Sequence, residues 1–261
     1  ITECTFKNIY QGGATFLNCR NGVIKYNLQE RIGRDDDNCT GFLTSECFDT
    51  TVSFNRVIDF PCVAYSSGGA KEATCITENN ECYFTKDYYI HAKEHTFLDT
   101  GAIYAAQSSE RNIIRYNYVH NIRGIGNNRR IMLDNTPINC KVYGNVVMDI
   151  RGWTIEFNKI NVSGKGDGRG NVCMNNILNG GYHFFGNVET DDTYCGKNLI
   201  INQGSTKAES LITDCTHIED DVYENAEYRD GYVLTRNSTV NNETTDCFHI
   251  DGIAKHVVHC I

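Results

Sequence analysis

Short runs of Val, Ile, Tyr and Phe recur along the chain, each stopped within a few residues by Asn, Asp or Gly. No stretch carries an apolar repeat of 3.6 residues over three turns, so strands dominate the reading. V-I-K-Y-N around Asn27, V-S-F-N-R-V-I-D-F around Asn55 and C-I-T-E-N-N-E-C-Y-F around Asn80 lead into the segment from Asp99 to Asn179. There the unit is an apolar strand, then Asn, an aliphatic residue two positions on, and Asn or Asp after two more. Its copies are Asn117, Val119, Asn121; Asn145, Val147, Asp149; and Asn175, Ile177, Asn179, spaced 28 to 30 residues apart. T-I-E-F-N-K-I-N-V-S around Asn158 supplies a further strand-like run. A period of that length marks a solenoid, whose coils bury their apolar sides only by stacking.

Asn suits a strand-to-strand corner because it tolerates the left-handed region and hydrogen-bonds its neighbour, so stacked coils are expected to place Asn on Asn. Val119 with Ile122, and Val147 with Ile150, should then point into a common core. The pattern predicts an all-β, right-handed parallel β-helix forming a single domain. Coils are expected over residues 1–204 and a terminal coil or cap of the same domain over 205–261, where the pattern fades. An antiparallel sandwich is the competing fold, but it needs hairpin turns, and Asn21-Gly22 and Asn179-Gly180 are the main candidates. Polar stretches at Gln29–Asn38, Ser66–Ala73, Gln107–Arg111 and Ser163–Gly170 read as inserts that build a groove on one face. A brief helical turn within Lys86–Glu94 would account for the 37 residues between Asn80 and Asn117.

Charge and composition narrow the partners. The net charge of -9, with 22% of the 261 residues charged, suits solubility and disfavours a nucleic-acid phosphate backbone. No run of 18 apolar residues is present, so no membrane-spanning helix is expected. The chain opens on Ile1 without a basic-then-apolar leader, which reads as a processed product, secreted or displayed at the cell surface. Thirteen cysteines imply either disulfides, with one thiol left over, or buried thiols acting as small apolar groups. Cys140, Cys173, Cys195, Cys215 and Cys247 follow one another at 20 to 33 residues, as an inward-facing cysteine ladder would. Sequons at Asn38, Asn161, Asn237 and Asn242 permit glycosylation without establishing it.

No C-x-x-C or C-x-x-H pair is present, and the tightest His/Cys group is His256, His259 and Cys260. No cofactor is expected, with calcium at the Asp35–Asp37 run as the one exception; a solvated acidic loop is the other reading of that run.

The ordered series D-T-G-A-I-Y, R-Y-N-Y-V-H-N-I, M-L-D-N, Y-G-N-V-V and G-D-G-R-G-N-V-C-M-N-N-I-L, about 80 residues in all, resembles the right-handed parallel β-helix glycosidases with α-L-fucosidase or xylanase activity. The resemblance implies glycoside hydrolysis, with Asp99 and Asp134 as the carboxylate pair and Arg169 and His120 as substrate contacts. Trp153, the only tryptophan, and Glu156 are further candidates for sugar contact. Two carboxyl groups on adjacent coils suit this chemistry, since strands lie about 4.8 Å apart and hydrolytic pairs lie about 5 to 9.5 Å apart. Asp99 precedes Asn117 by 18 residues and Asp134 precedes Asn145 by 11, so they share a register only if Gln107–Arg111 absorbs the extra seven. The series departs from the family at Asn135, where the second Asp of L-D-D would stand, and at Ala105–Ser108, in place of G-R-D-W.

Two alternatives share the scaffold. One is a polysaccharide lyase, with Arg129, Arg130 and Lys165 as basic candidates. The other is a non-enzymatic structural or adhesive unit, a filament subunit or tail-spike-like sugar binder, self-associating through open β-helix ends.

Overall fold

The computed structural model describes residues 1–33, 39–70, 72–88, 101–105, 110–122, 129–135, 137–148, 153–159, 170–179, 182–186, 193–196, 198–201, 212–213, 216–218, 227–229, 232–240 and 243–249, with backbone alone at 129, 159, 182–186 and beyond 198. The chain visits three sheets in turn. Thr5–Ile9 opens sheet 1, Ala14–Leu17 sheet 2 and Val23–Lys25 sheet 3, and Leu28–Ile32 returns to sheet 1. Among the described residues nine strands stack in sheet 1, seven in sheet 2 and eight in sheet 3. Every pairing in the three is parallel, so the fold is a parallel β-helix and not an antiparallel sandwich. Parallel pairing runs on through Ile212–Thr213 and Thr216–Ile218, and three antiparallel strands, Glu227–Arg229, Tyr232–Val240 and Glu243–His249, follow.

Strand alternation sends one side chain in two inward, and parallel pairing puts like positions on like. Val57, Cys82, Val119, Val147 and Leu178 form the inward column of sheet 1. Ile103, Ile131 and Ile155 do the same in sheet 2, and all eight are buried. Ile122 is buried as expected, whereas Ile150 lies outside the described residues.

The corner from sheet 3 to sheet 1 carries an asparagine ladder: Asn27, Asn55, Asn80, Asn117, Asn145, Asn176 and Asn198, all buried. Asn117 shows the pattern. Its Nδ2 donates to Asn145 Oδ1 at 3.0 Å and to the carbonyl of Thr77 at 2.9 Å. Its Oδ1 accepts from the backbone N and Nδ2 of Asn80, both at 3.1 Å. Both amide hydrogens and both oxygen lone pairs are thereby used, the condition for burying this side chain at little cost.

The left-handed conformation falls on the residue before the ladder, at Tyr26, Phe54, Asn79, Tyr116, Gly144 and Asn175. Two tasks expected of one Asn are thus divided between neighbours. This corrects the third unit of the repeat: Asn176 joins the ladder, Asn175 takes the left-handed turn, and Leu178, not Ile177, faces the core. Asn158 is not a corner residue but stands in sheet 2. The 37-residue step from Asn80 to Asn117 contains a helical turn at 86–88. Two stretches read as inserts contain strand: Gln29 to Ile32 belongs to sheet 1, and Ser66 to Gly69 to sheet 2.

None of the ten cysteines whose side chains are described is in a disulfide. Cys173 and Cys195 are register partners in sheet 3 and fully buried, a two-rung inward ladder. Cys140 is equally buried but sits at the corner before its sheet 3 strand. Cys215 and Cys260 lie outside the described residues, as do His256, His259, Asp35–Asp37, Asn38 and Asn161. Burial pushes the Cys82 thiol well up from its ordinary range and the Cys140 thiol up to about 12.

Asn117→Ala is expected to lower unfolding free energy by about 2–4 kcal/mol, because two buried N–H groups of Asn80 lose their acceptor; urea denaturation at matched pH measures this, and a change within error would refute the ladder's role. Under native conditions a thiol reagent should modify exposed Cys4 and leave Cys82, Cys140, Cys173 and Cys195 intact, as peptide mapping would show.

Candidate functional site

Asp134 ends the sheet 2 strand Arg129–Leu133, and its backbone N donates to the Ala105 carbonyl at 2.9 Å. Leu133 pairs with Phe157, so Asp134 stands opposite Asn158 on the next coil. Three side chains donate to its carboxylate: Tyr104 through its hydroxyl, Asn135 through Nδ2 at 2.7 Å, and Asn158 through Nδ2 at 2.6 Å. Asn135, which replaces a second aspartate in the family-like motif, is therefore a donor to the first. Asp134 is 5% exposed. Met132 pairs with Glu156, so alternation puts Tyr104, Met132, Asp134, Glu156 and Asn158 on the outward side of sheet 2, opposite Ile131, Leu133, Ile155 and Phe157. Glu156 is fully buried.

Asp99 and Arg169 lie outside the described residues. Gly101 pairs with Arg129, Ile113 with Lys141 and Tyr118 with Val146, a constant offset of 28 (129 − 101, 141 − 113 and 146 − 118). From Gly101 to Tyr118 the coil keeps that offset, so Gln107–Arg111 adds no residues relative to the next coil. Trp153 is half-buried, two residues before the sheet 2 strand Ile155–Lys159. Arg130, a candidate lyase base, is fully buried and donates to the Ile122 carbonyl. Lys165 is outside the described residues.

His120 is on another sheet. It closes the sheet 1 strand Tyr118–His120, and its Nε2 lies 3.1 Å from Glu81 Oε1. The other oxygen of Glu81 pairs with Arg56 Nε. The imidazole stacks on Tyr118 at 4.1 Å and on Tyr83 at 4.7 Å, one ring from its own strand and one from the preceding coil. Burial, followed by the Glu81 carboxylate, raises the hydroxyl pKa of both tyrosines. Arg56, Glu81, Tyr83 and Tyr118 were not candidates from sequence. Their link is the repeat itself, since Arg56, Glu81 and Tyr118 share one outward column and Tyr83 and His120 the next.

Among the described residues no three His, Cys, Asp or Glu side chains come together as a metal site, and no helix is long and apolar enough to cross a membrane. No family model, curated protein or solved structure matches the chain.

Glu81→Ala is expected to cost about 3 kcal/mol of stability, because it removes a carboxylate paired with the largely buried Arg56. Glu81→Gln should cost less. Equilibrium unfolding of both variants checks the order, and equal stabilities would show that charge pairing does not hold this cluster.

Proposed function

We propose that the protein handles carbohydrate outside the cell and cleaves glycosidic bonds at the outward side of sheet 2. The observation supporting this is Asp134, held by Tyr104, Asn135 and Asn158, with Glu156 one coil on. The two carboxylate-bearing residues are diagonal neighbours, one strand across and two residues along, which places their Cα atoms about 8 Å apart. That brings the carboxyl groups into the span used for hydrolysis, about 5 to 9.5 Å. The donors converging on Asp134 suit it to the base or nucleophile role, which leaves proton donation to the leaving oxygen for Glu156. Asp99, the partner expected from sequence, lies outside the described residues, and Glu156 is the described carboxylate next to Asp134.

Both carboxyl groups are buried, so turnover requires that substrate gain access to them. That burial favours a second reading, in which Asp134 is a structural corner and the protein binds sugar without cleaving it. A reducing-end assay on a panel of plant, algal and microbial polysaccharides separates the two. Hydrolysis predicts product with the native chain and a loss of at least a hundredfold in both Asp134→Asn and Glu156→Gln, with folding retained by circular dichroism. Turnover unchanged in either variant would remove that residue from the chemistry. Binding without product would support the second reading.

A further inference from the structure

At the corner from sheet 1 to sheet 2 an open groove of about 410 Å³ is lined by Glu30, Arg31, Asp59, Thr85, Asp87 and Tyr88. We propose that it binds the ammonium-bearing unit of an amino-sugar polymer, with Asp59 and Asp87 as the anionic contacts and Tyr88 as the ring wall. The sugar half of this assignment rests on the carbohydrate reading above, and the ammonium half on the groove alone.

Charge accounting carries the argument. Glu30 already has its cations: Lys7 Nζ at 2.8 Å and Arg31 Nη2 at 3.1 Å. Asp59 is 4% exposed, yet its carboxylate has no ion-pair partner among the described residues. Among the described residues it accepts from Thr85 alone, through the backbone N at 2.7 Å and the hydroxyl at 2.8 Å. Burial raises its pKa, opposed by the Thr85 bonds; Glu30 raises it further and Arg31 opposes. A buried carboxylate beside an open groove, with no ion-pair partner among the described residues, is most simply satisfied by a cation entering that groove.

The rest of the lining is built around that carboxylate. The Thr85 hydroxyl, besides donating to Asp59, accepts the Tyr88 backbone N at 3.3 Å, which caps the helical turn at 86–88. Asp59 thereby fixes the turn that presents Asp87, an exposed acid with no ion pair among the described residues. The Tyr88 ring packs on Phe84 at 5.0 Å, and Phe84 on Phe60 at 4.9 Å, so an aromatic wall is held in place. An alkylammonium donates charge-assisted hydrogen bonds to carboxylates and is attracted to a ring face as a cation, and a neutral sugar brings no such charge. Arg31, with its side chain 53% exposed, is left to donate to hydroxyls of the same polymer.

Isothermal titration with a β-1,4-linked glucosamine tetramer, its N-acetylated counterpart and 1,5-diaminopentane tests this on the full chain. The glucosamine tetramer should bind, and the acetylated tetramer and the diamine should each bind at least roughly tenfold more weakly, about 1.4 kcal/mol. Asp59→Asn and the exposed Asp87→Asn should each weaken the glucosamine tetramer by a similar factor. Equal binding of both tetramers would overturn the ammonium site while leaving the carbohydrate reading intact. Equal binding of the diamine and the glucosamine tetramer would overturn the sugar assignment. No binding of the glucosamine tetramer, or binding that Asp87→Asn leaves untouched, would overturn the proposal outright.

Discussion

The asparagine ladder is the constraint on which the other features rest. Each of its amides is buried at a corner where backbone groups cannot reach partners within their own coil. The ladder supplies those partners from the coils on either side: the backbone N of Asn117 donates to Asn145 Oδ1 at 3.1 Å, and its Nδ2 reaches back to the Thr77 carbonyl. Because every amide is both donor and acceptor, a slip of one residue at any rung would orphan groups on two coils. Register is therefore set at the corner and carried along the strands.

Register in turn decides which outward residues become neighbours. The steps between ladder residues vary from 22 to 37, yet strands either side of a corner stay in parallel register because length differences are taken up away from the ladder. Outward columns are consequently continuous across coils that differ in length. Arg56, Glu81 and Tyr118 come from three such coils and stand in line, and Tyr83 and His120 stand beside them. The same continuity places Asp134 against Asn158 and two positions along from Glu156.

The candidate site was partly legible. Asp134 and His120 were marked by local motifs, and both are held by specific hydrogen bonds. That they occupy different sheets was not visible, because a motif gives order along the chain and not the sheet on which each residue falls. Glu156 and Arg130 were candidates because of their charge, and their burial depends on what lies over the outward side of sheet 2. The Asp59 groove gave no sequence signal: Glu30, Asp59 and Thr85 belong to successive coils, and only the helical turn at 86–88 adds local context.

By itself the sequence determined the class of fold, its approximate period and the use of Asn at the corners, because strand propensity, alternation and corner chemistry are local and repeat with the coil. Tertiary structure decided which of two adjacent asparagines enters the ladder. Asn175 and Asn176 are the same residue chemically, and only stacking against Asn145 and Asn198 separates the left-handed turn from the buried amide. It also decided the state of the described cysteines, since a thiol in an inward column and a half-cystine look alike in sequence. Above all it decided adjacency across coils. Side chains 25 to 39 residues apart, such as Arg56, Glu81 and His120, meet only because parallel stacking converts a period in sequence into a distance of one strand.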